Sequence, residues 1–334
     1  MSDLLNTDSG FEFNDDAVDS IDQSSIEGSG SVYPLIQWVK GDMKAKKFGG
    51  MDYQGGLFVK ADKVDGAAME AAGWTKTSYT FKNGADEEGY WRREAAIIVI
   101  AERKSWEAVS NDEQKSFPRN KGGWEAAKAA NGGKKPRSHA QYMVLVKGLE
   151  HLGLFVFTVR GSAAAAFDSS RNDSVKARFI ATVIVNANAR SRASTQKQID
   201  ALKAAGKQVP SQLYEKLGRQ WALRGFYLPF GADRDEKGEP RYTTVGTAPE
   251  TTNVVLPVAL GLPDKAVDVD LRRFYVGDDM LKAANEYFDA SLEWRTAWEN
   301  IKTSAEDVAT SEQTTAAAVA AKDAEDAVLA ATGL

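Results

Sequence analysis

The sequence predicts an α+β fold, and three observations support that class. At least seven short apolar or alternating segments, bounded by glycine and proline, have the length and pattern of strands. Short helical segments are interspersed among them, and one longer amphipathic helix is expected from Gly277 to about Thr303. We expect a curved, mostly antiparallel sheet or a partly open barrel similar to OB-type folds.

The elements follow in order from residue 33. Two short strands come first, and a helix over Lys63–Ala72 precedes Gly73, a residue type favoured just after helix ends. Two short helices are expected between Ala193 and Trp221, separated by Gly206 to Pro210. The expected strands lie in the segments 33–42, 57–59, 74–81, 90–102, 141–149, 154–159, 221–231 and 253–263.

The stretch from Gln141 to Arg192 is the centre of the predicted core. Its uncharged run LFVFTV (154–159) reads as a strand buried on both faces. Ser162, before four alanines, is expected to cap a helix. The run VKARFIATVIV fits alternation and helical spacing almost equally, and helix is slightly favoured. This core is surrounded by basic residues, namely Arg160, Arg171, Lys176, Arg178, Arg190 and Arg192.

Composition limits the classes of protein that the chain can form. Its 334 residues are enough for one large domain or two ordinary ones. The absence of cysteine excludes disulfides, thiolate metal sites and thiol nucleophiles. No apolar run approaches the ~20 residues of a membrane span, and the acidic N-terminus does not resemble a secretory signal. We therefore expect a cytoplasmic protein with no membrane association.

Charge is segregated along the chain. Residues 1–32 carry eight acids and no Lys or Arg, residues 299–334 carry a net −5, and the body between them carries +8. We expect a disordered acidic tail at 1–32, a single α+β domain at 33–303 and an Ala-rich acidic tail at 304–334. Such asymmetry is typical of a polyanion-binding protein, although tails that only maintain solubility fit equally well.

The segment 114–138 is a candidate nucleic-acid-binding loop. It has seven basic residues against one acid, Glu125, together with Phe117, Trp124 and two glycine pairs. Phosphate contacts from Lys and Arg and base stacking on aromatics are what single-strand binding requires. The alternative is a solvated surface excursion with a short helix from Trp124 to Ala130. The basic residues are Lys115, Arg119, Lys121, Lys128, Lys134, Lys135 and Arg137.

The sequence contains no recognisable catalytic motif. The phosphate-binding loop, the dinucleotide fingerprint, the nucleophile elbow and the zinc-protease motif are all missing. His139 and His151 have no metal-ligand spacing and are interpreted as surface or packing residues. The acidic clusters at 86–88, 233–236 and 264–270 lie in predicted turns rather than on core strands. We therefore expect no enzymatic activity, no metal site and no cofactor.

Several glycine and aromatic placements resemble those of a known family. They are GGLFVKADKV, AAGW, FKNGADEEGYW, GSAAAAF and FYLPFG. Together they resemble an uncharacterised family of bacterial, plasmid and phage proteins without an assigned activity, over roughly 33–258. The resemblance implies a phage or mobile-element setting and provides no functional residues.

The combined expectation is a non-catalytic protein that binds single-stranded nucleic acid, most readily DNA, in replication or recombination. Lys44, Lys46, Lys47 and the basic residues of 115–137 and 160–192 would contact phosphates. The acidic tails would modulate binding or recruit proteins. The alternative is a structural or assembly protein that forms homo-oligomers. Trp38, Phe48, Tyr53, Trp91 and Trp124 are the candidates for base stacking, and each is also a candidate core residue.

Overall fold

A computed structural model describes residues 33–41, 43, 46, 50–51, 53–81, 86–110, 113–169, 173–247 and 250–298. The expected tails, 1–32 and 304–334, lie outside the described residues. The chain divides into two compact units. The large unit contains the described residues up to Arg103 and from Ala140 to Arg295. The small unit contains Lys104–His139 and the described residues from Thr296.

Within these residues the structure forms twelve strands and eight α-helices. The strands are β1 Leu35–Val39, β2 Gly56–Lys60, β3 Thr75–Thr80, β4 Asp86–Arg92, β5 Glu94–Ser110, β6 Glu113–Pro118, β7 Arg137–Val146, β8 Phe155–Arg160, β9 Leu228–Ala232, β10 Tyr242–Thr247, β11 Glu250–Val255 and β12 Pro257–Ala259. The helices are α1 Gly66–Ala71, α2 Lys121–Ala130, α3 Ser162–Phe167, α4 Val175–Phe179, α5 Val185–Ala204, α6 Ser211–Gly218, α7 Asp278–Ala290 and α8 Leu292–Thr296.

The predicted α+β class is confirmed, and its main element is one large mixed sheet. Ten strands form it in the order β12-β9-β5-β7-β8-β1-β2-β4-β3, with β6 paired to β5. β1 and β8 are parallel, whereas β1 and β2 are antiparallel. The sheet ends at β12 and β3, so the described strands form an open sheet, and an OB-like barrel is not confirmed. β10 and β11 form a separate two-stranded ribbon.

The central strands are buried on both faces, as their apolar runs predict. Every residue of β8 except Arg160 is buried. Along β5, Ile97 and Val99 pack into one apolar cluster, whereas Ile98 and Ile100 pack into another. Because successive side chains of a strand point to opposite faces, this division places a hydrophobic layer on each side of the sheet.

The ambiguous run after Ser174 is helical, and it continues as far as Ala204. The Ser174 hydroxyl accepts a hydrogen bond from the Ala177 amide and caps α4. A π-helical segment, Ile180–Ile184, joins α4 to α5 and contains three consecutive buried residues. A regular helix turns 100° per residue and does not keep three consecutive side chains on one face, so the wider turn accommodates them.

One expected helix start and one expected helix length differ from the structure. Gly161, with φ of 57°, occupies the capping position of α3, and Ser162 is the first helical residue. Only glycine adopts that conformation without strain, so the cap moves by one residue. The expected long late helix stops at Ala290, because Ser291 leaves helical geometry and its hydroxyl donates to the Phe288 carbonyl at 2.7 Å.

None of the helices in the described part of the chain is long and apolar enough to span a bilayer.

Candidate nucleic-acid interface

The predicted basic loop has regular structure and lies within the small unit. β6 pairs antiparallel with the end of β5, in the register Ser105↔Pro118 to Ser110↔Glu113. α2 follows after a turn at Asn120, whose side-chain oxygen accepts a hydrogen bond from the Gly123 amide at 2.7 Å. Asn at this position satisfies one of the amides that a helix start leaves unpaired.

α2 packs against β6 through small residues. Ala127 is fully buried with Ala108 and Phe117. A β-carbon at Gly123 would lie 2.0 Å from the Pro118 carbonyl oxygen, so no side chain fits there. Close packing on this face leaves the opposite face of α2 to solvent.

The seven predicted basic side chains of the segment are all exposed. α2 presents Lys121 and Lys128 to solvent, and positive-φ glycines at 132 and 133 precede the exposed pair Lys134 and Lys135. Since Glu125 is the one acid between residues 114 and 138, the surface has a strong local positive charge. The remaining exposed members are Lys115, Arg119 and Arg137.

Two tryptophans and an arginine form a small aromatic cluster beside these cations. Trp124 packs edge-on against Trp106, with ring centroids 4.6 Å apart. The Arg119 guanidinium lies over the Trp106 ring at 3.8 Å, and its Nη1 donates to the Ser138 hydroxyl. Both indoles are half-buried, so each retains part of its surface for a base. Trp106 was missed from the sequence, because only the β5–β6 pairing places it next to Trp124.

The predicted basic residues of the large unit have mixed environments. Arg160, Arg178 and Arg192 are exposed. Lys46 is exposed and pairs with Glu239 at 3.2 Å. Arg190 is half-buried and donates to the Val269 carbonyl at 2.9 Å, which gives it a structural role.

Lys176 differs most from the expectation of a phosphate contact. Its ammonium pairs with Glu102 and, at 3.2 Å, with Asp168, and the side chain is only 13% exposed. Tyr142 donates to the same Asp168 carboxylate at 2.6 Å. Two carboxylates therefore already satisfy this cation. Lys44, Lys47 and Arg171 lie outside the described residues.

Two of the five candidate stacking aromatics, Trp38 and Trp91, are buried by packing. Trp38 is 8% exposed and its Nε1 donates to the Val255 carbonyl at 3.3 Å. Trp91 is 7% exposed and packs with Phe58. Tyr53 is half-buried, and Phe48 lies outside the described residues. Trp124 is therefore the candidate that stands beside a cationic surface.

The small unit also buries a His–Glu pair that does not have catalytic geometry. His139 Nδ1 lies 3.0 Å from Glu107 Oε1, and both side chains are almost fully buried. The Ser105 hydroxyl lies 3.5 Å from that same Nδ1. A Ser-His-acid triad uses the two different ring nitrogens for these partners, so this arrangement is one of packing. Throughout the described residues, no three His, Cys, Asp or Glu side chains converge to form a metal site.

Comparison with protein-family models, with curated proteins and with solved structures finds no match to this chain.

Proposed function

We propose that this protein binds single-stranded nucleic acid, with DNA as the expected ligand, and that it does so without catalysis. The observation that carries the proposal is the exposed cationic surface of the small unit. Seven Lys and Arg side chains between 115 and 137 face solvent there with a single acid among them. Neutralisation of phosphates by such side chains, with release of counterions, is the main source of affinity for nucleic acid.

The aromatic cluster favours single strands over duplex. A flexible single strand can place unstacked bases against an indole while its phosphates follow Lys and Arg. Trp106 and Trp124 lie within the same unit as the cations, and both are partly accessible. The cations come from a strand, a helix and a glycine turn rather than from one helix face. Cations spread in this way can follow the phosphates of a bent single strand.

We also propose a cellular setting for this binding and a way in which it is regulated. The protein acts in the cytoplasm, in replication or recombination of a phage or mobile element. Its acidic segments, 1–32 and 304–334, compete with nucleic acid for the basic surface or recruit partner proteins. An OB-like groove is not needed for this mode of binding.

Fluorescence anisotropy with labelled single-stranded DNA, single-stranded RNA and duplex DNA at several salt concentrations tests the proposal. The triple variant Lys128→Gln, Lys134→Gln, Lys135→Gln should bind at least tenfold more weakly at low salt. Its slope of log K against log salt should fall by about 2, because each phosphate contact on a single strand contributes about 0.7.

A matched control removes three exposed lysines from the large unit, Lys63→Gln, Lys237→Gln and Lys282→Gln. It changes net charge equally and should leave the slope unaltered. Equal losses in both triples would show a general charge effect and contradict the proposed interface. Absence of binding even at low salt would disprove nucleic-acid binding and leave assembly as the better account.

A further inference from the structure

A cavity of about 310 Å³ lies beside β5, just beyond the end of its pairing with β9. β9 pairs with β5 only from Glu94 to Ile97, and the cavity is lined by the next stretch, 99–102. Side chains from α4, from the 3-10 turn Leu223–Gly225 and from α7 and α8 complete its wall. All of these residues belong to the large unit.

Two guanidinium groups share one aromatic ring in this wall. Arg224 lies over the Phe288 ring at 4.3 Å from its centroid, and Arg295 lies over the same ring at 4.0 Å. The Arg224 Nε donates to the Asn285 side-chain oxygen at 2.5 Å, which fixes the orientation of that guanidinium. Arginine presents planar donors that match a tetrahedral or planar oxyanion.

The Nε of Arg295 is buried and has no hydrogen-bond acceptor among the described residues. A buried donor without a partner is destabilising, and one on a charged group more so. Such a donor can accept a partner from outside the chain, either water or a ligand.

Three of the four charged side chains that line the cavity are cations. Lys176, Arg224 and Arg295 line it with a single carboxylate, Glu102, which pairs with Lys176. Burial lowers the pKa of Arg224, and the nearby Arg295 charge lowers it further, whereas Asp289 opposes the shift. Asp168 also pairs with Lys176 at 3.2 Å, so Glu102 and Asp168 are both directed at that lysine, whereas the two arginines repel each other.

We infer that this cavity binds the phosphate group of a small phosphate monoester. A phosphate monoester has three strong acceptor oxygens for the two guanidinium groups, whereas a carboxylate has two. Arg295 and Arg224 donate to the phosphate oxygens. The cavity volume is at the lower end of the range for small-ligand sites, and its apolar side, including Leu223, contacts the organic portion of the ligand.

A nucleic-acid strand is a poorer occupant of this site. Two guanidinium groups already lie over the Phe288 ring, and they would compete with a base for it. The cavity lies entirely in the large unit and shares no residue with the interface of the small unit. The two proposals therefore fail independently.

Titration of the full chain with inorganic phosphate and phenyl phosphate, with acetate as a comparison, tests the assignment. Calorimetry gives the affinity, and the Arg Nε–Hε NMR signals identify the side chains affected. We expect saturable binding of both phosphates, a shift of the Arg295 Nε–Hε signal, and acetate binding at least tenfold weaker.

Arg295→Gln should weaken phosphate binding at least tenfold, and Arg295→Lys should restore only part of it, because the charge returns without the planar donors. The matched control Arg272→Gln removes an exposed arginine of the same unit and should bind as the unmodified chain does. Lack of saturable phosphate binding, equal affinity for acetate, or unchanged binding by folded Arg295→Gln would each overturn the inference.

Discussion

Two basic regions of the chain give similar sequence signals, yet their lysines have opposite environments. In the small unit, Lys128 and its neighbours project from a helix and a glycine turn into solvent. In the large unit, Lys176 lies against β5 and pairs with Glu102 and Asp168. Lys128 is thus exposed to solvent, whereas Lys176, also in a basic stretch, is paired in the protein interior.

The difference shows that local charge density does not indicate whether a cation is available. Glu102 lies 74 residues from Lys176 in the sequence, so only the tertiary structure makes it a partner. A buried ion pair is costly to break, because removal of one ion leaves the other without compensation. An exposed cation has no such constraint and remains free to exchange partners.

The largest expected effect comes from breaking the partly buried network around Lys176. Lys176→Met keeps the apolar stem of the side chain but leaves Glu102 and Asp168 without their cation. Because Glu102 is 39% exposed and partly screened by water, we expect a loss of about 2 kcal/mol in the free energy of unfolding of the large unit. The control Lys46→Met breaks an exposed pair with Glu239 and should change stability by about 0.5 kcal/mol or less. Urea denaturation measures both, and similar values would contradict the comparison.

The next effect concerns two adjacent glycines of α2. At Gly123 a β-carbon would clash with the Pro118 carbonyl, whereas at Gly122 the nearest atom, in Asn120, is 3.6 Å away. Gly123→Ala should destabilise the packing of α2 by about 1–3 kcal/mol. Gly122→Ala should stabilise the helix by about 0.5–1 kcal/mol.

Amide hydrogen exchange over residues 113–130 separates these two variants. Protection should fall in Gly123→Ala and rise slightly in Gly122→Ala. The same direction of change in both would show that α2 is not held against β6 by this close approach.

The smallest effect concerns the aromatic cluster. Arg119→Ala removes the guanidinium over Trp106 and the hydrogen bond to Ser138, and it should destabilise the small unit by about 1 kcal/mol. Lys121→Ala removes an equally exposed cation that makes no such contacts. Tryptophan fluorescence during urea unfolding reports on both. Indistinguishable curves would show that Arg119 does not hold the cluster.

Much of the sheet was predictable because the local sequence of several strands fits a strand and no other element. The run LFVFTV lies between glycines, has no charge and is too short for a typical helix, and β8 follows it closely. The stretch 90–102 was less predictable. The structure divides it at Arg93 into β4 and β5, and β5 continues to Ser110 through charged residues. Pairing with β6 stabilises that polar half, and no local pattern specifies this pairing.

The candidate site was predictable only in part, for the same reason. The exposure of Lys134 and Lys135 follows from glycine and charge in the sequence. The expected late helix ends at Ala290, and Leu292, which follows it, is 58% exposed. The cavity was missed, because Arg224 and Arg295 are 71 residues apart in the sequence and meet only on Phe288.

By itself, the sequence determined the α+β class, the buried central strands and the positive charge of residues 115–137. These properties depend on the type and spacing of residues that are close in the sequence, so the sequence pattern is enough to predict them. The tertiary structure alone decided which cations are exposed, which are paired and which surround a cavity. Those outcomes depend on partners brought together by sheet pairing and helix packing across long separations in the chain.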